Sequence, residues 1–272
     1  MGRWISCSSA SGSRASLPAG TIKRVKVKTL DNKRLFWMSD HRPLFVTSFG
    51  PSGFELYGRT FIDTFVRWVD GDLRVYVEGE ENIPPISHPN VEYRDLLKVS
   101  GMMDTLQLTN FHAARGLLWG GPDIDYRFDV HRFCRKSFAQ TDAAHLAKQS
   151  GREAFYWLDA DIEFTGQFVV PELGEDFMIY MGRSGGHSCS SFVGWNLTLP
   201  VWKEFFNKYW ALYVTGTVFA LTEWHDAFVV EWLRKELQVP SRDLAADLET
   251  SPLCNVFDLV FSAAHHKKGQ LK

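Results

Sequence analysis

The stretch Phe155-Tyr-Trp-Leu158-Asp159-Ala-Asp161-Ile162 constrains this chain more than any other. Large apolar residues bounded by polar sequence suit a strand buried on both faces of a parallel sheet. The two aspartates then fall where that strand leaves the sheet, the edge at which open α/β sheets bind ligands. With one residue between them, two carboxylates can converge on a hard divalent cation, Mg²⁺ or Mn²⁺, which keeps positions for water and for substrate phosphate. Asp-x-Asp also caps turns in many chains. Its meaning here therefore rests on whether other segments supply phosphate binders, a third ligand and an acceptor site.

Upstream, Pro43-Leu-Phe-Val-Thr47-Ser48-Phe49 reads as the first core strand and Gly50-Pro-Ser-Gly53 as its turn. A helix from about Tyr57 to Trp68 follows, with Phe61, Phe65 and Trp68 on one face, and Leu73-Arg-Val-Tyr-Val-Glu78 reads as a second strand. Strand, crossover helix and strand make a βαβ unit whose strand ends, Thr47-Ser48 and Glu78, point to one edge. From Ile83 to Asp125 the pattern is irregular, with three prolines by Pro89 and weak helical signals near 93–99. Over Tyr126–Lys148 a helix places Val130, Cys134, Ser137 and Phe138 on one face, with Arg132 and Lys136 one turn apart on another. Such a pair can grip a diphosphate, although paired surface cations are often merely solvated.

Downstream, 176–182 and 190–196 read as strands separated by the glycine-rich Arg183-Ser-Gly-Gly-His187. That loop lacks the lysine–serine end of a P-loop, and Gly186-His-Ser-Cys-Ser190 is no nucleophile elbow, so neither NTPase nor serine-hydrolase chemistry is supported. Trp202, Phe205, Phe206, Tyr209 and Tyr213 mark a helix packed by an aromatic stripe. Glu223-Trp-His-Asp226 opens another helix, where carboxylates serve as caps. Glu223 and Asp226 flank a Trp and a His, residue types suited to orienting or deprotonating a hydroxyl acceptor beside a stacking surface. Finally, His265-His266-Lys267-Lys268 can add a metal ligand and a phosphate-binding cation.

Composition bounds the rest. A chain of 272 residues fits one α/β domain, here 23–272, behind a Ser/Gly-rich tail over 1–22. The net charge of −2 hides an asymmetry: residues 1–42 hold nine Lys/Arg against two Asp/Glu, about +7, so the remainder is about −9. The basic end suits a polyanion, or guards an exposed edge strand around Lys23–Lys28. Four scattered cysteines argue against a structural zinc site or a disulfide framework and fit a reducing cytoplasm. No apolar run reaches the ~18 residues of a membrane span.

Taken in order, Val46-Thr47-Ser48, Val75-Tyr-Val-Glu78, Trp157-Leu-Asp159-Ala-Asp161 and His265-His-Lys-Lys-Gly269 resemble the GT-A class of nucleotide-sugar-dependent glycosyltransferases over about 44–272. Tyr126–Ala139 and Glu223–Asp226 look like phrases of bacteriophage glycosyltransferases, some of which decorate hydroxymethylated pyrimidines in DNA. The resemblance implies a single GT-A-type, Rossmann-like domain with a mostly parallel sheet flanked by helices. It also implies a UDP-sugar donor, Mn²⁺ or Mg²⁺, no membrane partner, and a hydroxyl acceptor, with 5-hydroxymethylcytosine in double-stranded DNA the first choice and a glycan, lipid or protein the alternative. The location would be cytoplasmic, that of the host if the chain is phage-encoded.

Asp159 and Asp161 would hold the metal, with His265 or His266 completing its shell. The donor-binding set would be Thr47, Ser48, Glu78, Arg132, Lys136, Leu158 and Lys268, with Thr47 and Glu78 beside the nucleoside and the three cations near the diphosphate. Asp226 and Glu223 would act on the acceptor. Inverting and retaining chemistry both stay open. A haloacid-dehalogenase-like phosphatase also uses Asp-x-Asp, but its pair lies near the start of the fold and precedes a Thr or Val where this chain has Glu163. The remaining rival is a nucleotide-binding module without catalysis.

Overall fold

The computed structural model describes residues 42–111, 113–117, 124–252 and 254–267. The chain separates into two units, Met1–Phe36 and Trp37–Lys272. The first unit lies outside the described residues, and with it the expected tail and the basic strand. Lys268 lies outside them too.

Strand β1 (Leu44–Phe49) leads into a short helix α1 (Pro51–Gly53), a π-helical turn over Phe54–Gly58, and helix α2 (Arg59–Trp68). Strand β2 (Asp72–Val77) returns parallel to β1, as the βαβ reading requires. Strand β3 (Val91–Asp95) adds outside β2, where the sequence suggests only irregular chain, because half-buried Tyr93 and Arg94 lack an apolar alternation. Helices α3 (Met102–Leu108) and α4 (Val130–Gln149) then cross to strand β4 (Ala154–Leu158), which pairs with the opposite edge of β1. The chain therefore builds outward one way from β1 and then the other. Where that reversal occurs, a crevice opens beyond the carboxyl ends of β1 and β4.

Short strand β5 (Ile162–Phe164), strand β6 (Met178–Met181), strand β7 (Cys189–Asn196), helices α5 (Val201–Val214) and α6 (Asp226–Glu236), strand β8 (Ser241–Asp243), helix α7 (Val256–Val260) and strand β9 (Ala264–His266) follow. The main sheet has seven strands in the order β3-β2-β1-β4-β7-β6-β8, and β7 alone runs against its neighbours. This is the α/β, mostly parallel architecture with flanking helices that the sequence predicts. Strands β5 and β9 form a separate antiparallel pair that ties the C-terminal segment to the turn after β4.

Period-2 alternation sorts the core into two layers. Leu44, Val46, Tyr76, Phe155, Trp157 and Trp195 face α4, α5 and α6, while Phe45, Val75, Tyr156, Leu158 and Phe192 face α2 and α7. Full burial of each such side chain stabilises by roughly 1.5–3 kcal/mol. Glycine is needed at position 194, since a Cβ there would lie 2.7 Å from Ile179 Cγ1 and 2.9 Å from the Tyr156 ring. Among the described residues no helix is long and apolar enough to cross a membrane.

Candidate active site

The same alternation decides which residues reach the crevice. Ser48 shares the face of Leu44 and Val46, Glu78 that of Tyr76, and Asp159 that of Trp157, so all three project on the α4 side. They line one cavity of about 1200 Å³. Thr47 and Leu158 sit one residue out of phase, fully buried and off the cavity wall. Their side chains therefore turn away from the cavity, because a one-residue step along a strand turns the side chain to the opposite face.

Asp159 Oδ1 accepts hydrogen bonds from Trp157 Nε1 and from Lys136 Nζ, both at 2.8 Å. Both bonds fall on the same oxygen, so the side chain is fixed while Oδ2 remains for a ligand. Asp161, two residues on, lies 3.0 Å from His266 Nε2. That histidine arrives from β9, which sets His266 opposite Ile162 and His265 opposite Glu163. The buried His266 turns inward, whereas the His265 side chain is 59% exposed and approaches Asp258 at 3.5 Å. Asn255 Nδ2 donates to the His266 carbonyl, and Lys267 N donates to the Asp161 carbonyl.

Ligand atoms of Asp159, Asp161 and His266 all lie within 4.8 Å of one another. Two aspartate carboxylates and one imidazole are a donor set that fits a divalent cation.

Lys136 lines the cavity and is tied to its carboxylates. It points inward from α4, 2.8 Å from Asp159, 2.7 Å from Asp226 and 2.7 Å from the Ser190 carbonyl. Three acceptors use all three ammonium protons. Burial works against its charge, but Asp159 and then Asp226 overcome that and raise its pKa. Asp226 is almost fully buried at the start of α6. Burial would raise its carboxyl, yet Lys136 and then His225 hold it below the ordinary aspartate value. It is an ion-paired carboxylate, not a solvent-facing base. Arg132, in contrast, is exposed on the cavity wall with its guanidinium 5.4 Å above the Phe133 ring.

Three partners escape the sequence reading. Arg135 grips Glu78 through both carboxylate oxygens at 2.8 and 3.0 Å, a link between α4 and the end of β2 that no local pattern signals. Tyr57, in the π-helical turn, lines the cavity, and burial followed by the charge of Asp161 raises its phenol pKa. A Cβ at Gly53 would lie 2.5 Å from the Tyr57 hydroxyl, so that glycine makes room for the ring. The third is His187, from the glycine-rich loop, whose Nε2 lies 3.1 Å from Glu223 Oε2.

Glu223 Oε2 also meets His225 Nε2 at 2.8 Å. His225, not a carboxylate, caps α6: its Nδ1 accepts from Phe228 N at 3.4 Å. Ligand atoms of His187, Glu223 and His225 are close enough together to suggest a second cation site. The capping bond opposes that reading. A histidine bound to metal through Nε2 carries its proton on Nδ1, where here a backbone N–H already points.

No protein-family profile matches the chain, and neither does any curated protein sequence. Among solved structures, mouse xyloside xylosyltransferase 1 in its apo form is similar at a TM-score of 0.46 and 11% identity, over 85% of this chain and 99% of that one. The apo structure of the bifunctional glycosyltransferase WbbM is similar at a TM-score of 0.36 and 13% identity, over 65% of this chain. The matched part is 38% of the WbbM chain.

Proposed function

We propose that this chain is a metal-dependent glycosyltransferase that moves a sugar from a UDP-sugar to a hydroxyl acceptor. The observation that carries the reading is the cluster Asp159, Asp161 and His266, at the crevice between β1 and β4, opening on a cavity of about 1200 Å³. That volume suits a nucleotide sugar together with an acceptor group. Two acidic oxygens and one imidazole suit Mn²⁺ or Mg²⁺. Such a cation, when bound, neutralises negative charge on a nucleoside diphosphate leaving group.

The chain's own residues carry the rest. Trp157 and Lys136 hold Asp159 in one orientation, and His266 holds Asp161. Arg132, exposed on the wall, is the cation suited to the diphosphate. Glu78, held by Arg135, and Ser48 offer acceptors and a hydroxyl to the nucleoside.

Cleavage of a panel of UDP-sugars with and without Mn²⁺ tests the donor. Wild-type turnover should require the ion, and Asp159→Asn should lower kcat about a thousandfold, the several kcal/mol a cation supplies. Equal turnover in both proteins would sink the metal role. For the acceptor we propose DNA carrying 5-hydroxymethylcytosine, supported by the phage-like phrases and by the +7 charge of residues 1–42. Mass spectrometry of nucleosides after incubation with modified and unmodified duplex should show a hexose added to the modified base only. No added mass would turn the search to glycan, lipid or protein acceptors, and no cleavage of any donor would favour a binding module.

A further inference from the structure

Beside the donor site stands a wall of ionisable groups with unequal commitments. Asp226 is spent on Lys136. Glu223 Oε2 takes two imidazoles, at 2.8 and 3.1 Å. His225 is buried with Nε2 on Glu223 and Nδ1 on the Phe228 amide, so neither nitrogen is left for a ligand. Its burial, ahead of the opposing pull of Asp226, lowers its pKa, and the Phe228 N–H aimed at Nδ1 puts the proton of the neutral ring on Nε2.

His187 differs from all three. Its side chain is 36% exposed on the cavity wall, and Nε2 faces Glu223. The nearest carboxylate to Nδ1, Glu231 Oε2, stands 3.8 Å away, beyond hydrogen-bond length. With Nε2–H donating to Glu223, Nδ1 keeps its lone pair. Every other charged group packed on this ring is accounted for: Glu223 and His225 from the segment before α6, and Glu231 from α6, itself bonded to Ser188 and paired with Lys235 at 2.5 Å. The ring lies between the carboxylates of Glu223 and Glu231, and Glu223 orients it as a carboxylate orients a histidine base elsewhere.

We propose that His187 is the base that takes the proton from the acceptor hydroxyl, with Glu223 as its positioning residue; this rests on the glycosyl-transfer reading. The acceptor O–H bond breaks and its proton passes to His187 Nδ1 as the oxygen bonds to the anomeric carbon. The bond from that carbon to the phosphate oxygen breaks, and its electron pair leaves with the nucleoside diphosphate. The imidazolium then returns its proton to solvent. The assignment gives His187 the role expected of Asp226 and Glu223: Asp226 is nearly fully buried and ion-paired to Lys136, and Glu223 stands behind His187, off the cavity wall.

UDP-sugar hydrolysis, with water in the acceptor's place, tests this in the full chain. His187→Ala should lower kcat about 100-fold or more, the scale of general-base catalysis, with KM for the donor unchanged. Added free imidazole should restore turnover in proportion to its neutral fraction. His187→Gln, which keeps a donor toward Glu223, should fold as wild type and be equally slow. A kcat within threefold of wild type in both variants, or a loss that appears in KM and resists imidazole, overturns the assignment. Wild type that cleaves no UDP-sugar overturns the transfer reading and this one with it, whereas metal-dependent wild-type cleavage with unaffected variants overturns only this one.

Discussion

Two carboxylate–histidine clusters face the same cavity and use the same residue types, yet they are built for different work. In Asp159, Asp161 and His266, the supporting bonds come from Trp157, Lys136 and a returning strand, and among the described residues no donor points at the outer nitrogen of His266. In His187, Glu223 and His225, both imidazoles meet one oxygen of Glu223, and a helix amide occupies the nitrogen that a ligand bound through Nε2 would need protonated. Proximity of ligating side chains therefore does not define a metal site. The hydrogen bonds behind the ligands decide it, because they set which atom carries a proton.

Lys136 is where this contrast breaks most visibly, since it supports the first cluster and neutralises Asp226 beside the second. Lys136→Met should destabilise the protein by about 3–5 kcal/mol, because it leaves a buried carboxylate without its partner. Thermal unfolding checks this, and Asp226→Asn in the same chain should recover much of the loss. The pH sign follows from the lowered pKa of Asp226: its contribution is present above the ordinary aspartate pKa and fades as pH falls through the depressed folded value. Asp226→Asn should accordingly flatten the acid side of the unfolding curve.

A smaller effect sharpens the assignment of the first cluster. His266→Ala should weaken Mn²⁺ binding, measured by calorimetry, by about 10–100-fold, the scale on which losing a supporting group already acts. His265→Ala should change it less than twofold, since that side chain faces Asp258 and solvent. Equal effects from both would erase the distinction that the β5–β9 register draws. The smallest effect concerns the second cluster: after equilibration with Zn²⁺ and gel filtration, wild type and His225→Ala should retain the same zinc by elemental analysis. One equivalent lost in the variant would make that cluster a metal site after all.

The fold was legible where burial imposes a period. The runs of β1, β4 and β7 are largely apolar, β2 alternates Leu73, Val75 and Val77 with Arg74 and Tyr76, and the aromatic stripe of α5 spans a full face, so each could be read locally. β3 could not, because an edge strand with Glu92, Tyr93 and Arg94 half-exposed carries no such pattern. Within the site, Asp159 and Asp161 were legible from their spacing, as was the histidine beside them to within one residue. Choosing between His265 and His266 required the pairing of β9 with β5, which depends on contacts across about a hundred residues of chain. That the side chains of Thr47 and Leu158 turn away from the cavity could not be read locally, as the sequence marks the strand but not which neighbour faces α4. Lys136 was found as a cation near the site, and its three partners on β4, β7 and α6 were invisible to any local reading.

The late return of β9 also gives the site a history. During synthesis the acidic pair emerges on the order of ten seconds before the histidine that completes it. Until then the nascent chain holds two carboxylates without their imidazole partner, so a cation arriving early finds a poorer set of donors. The imidazole joins the pair only once β9 has been made and paired with β5, after the last strand of the seven-stranded sheet has already appeared.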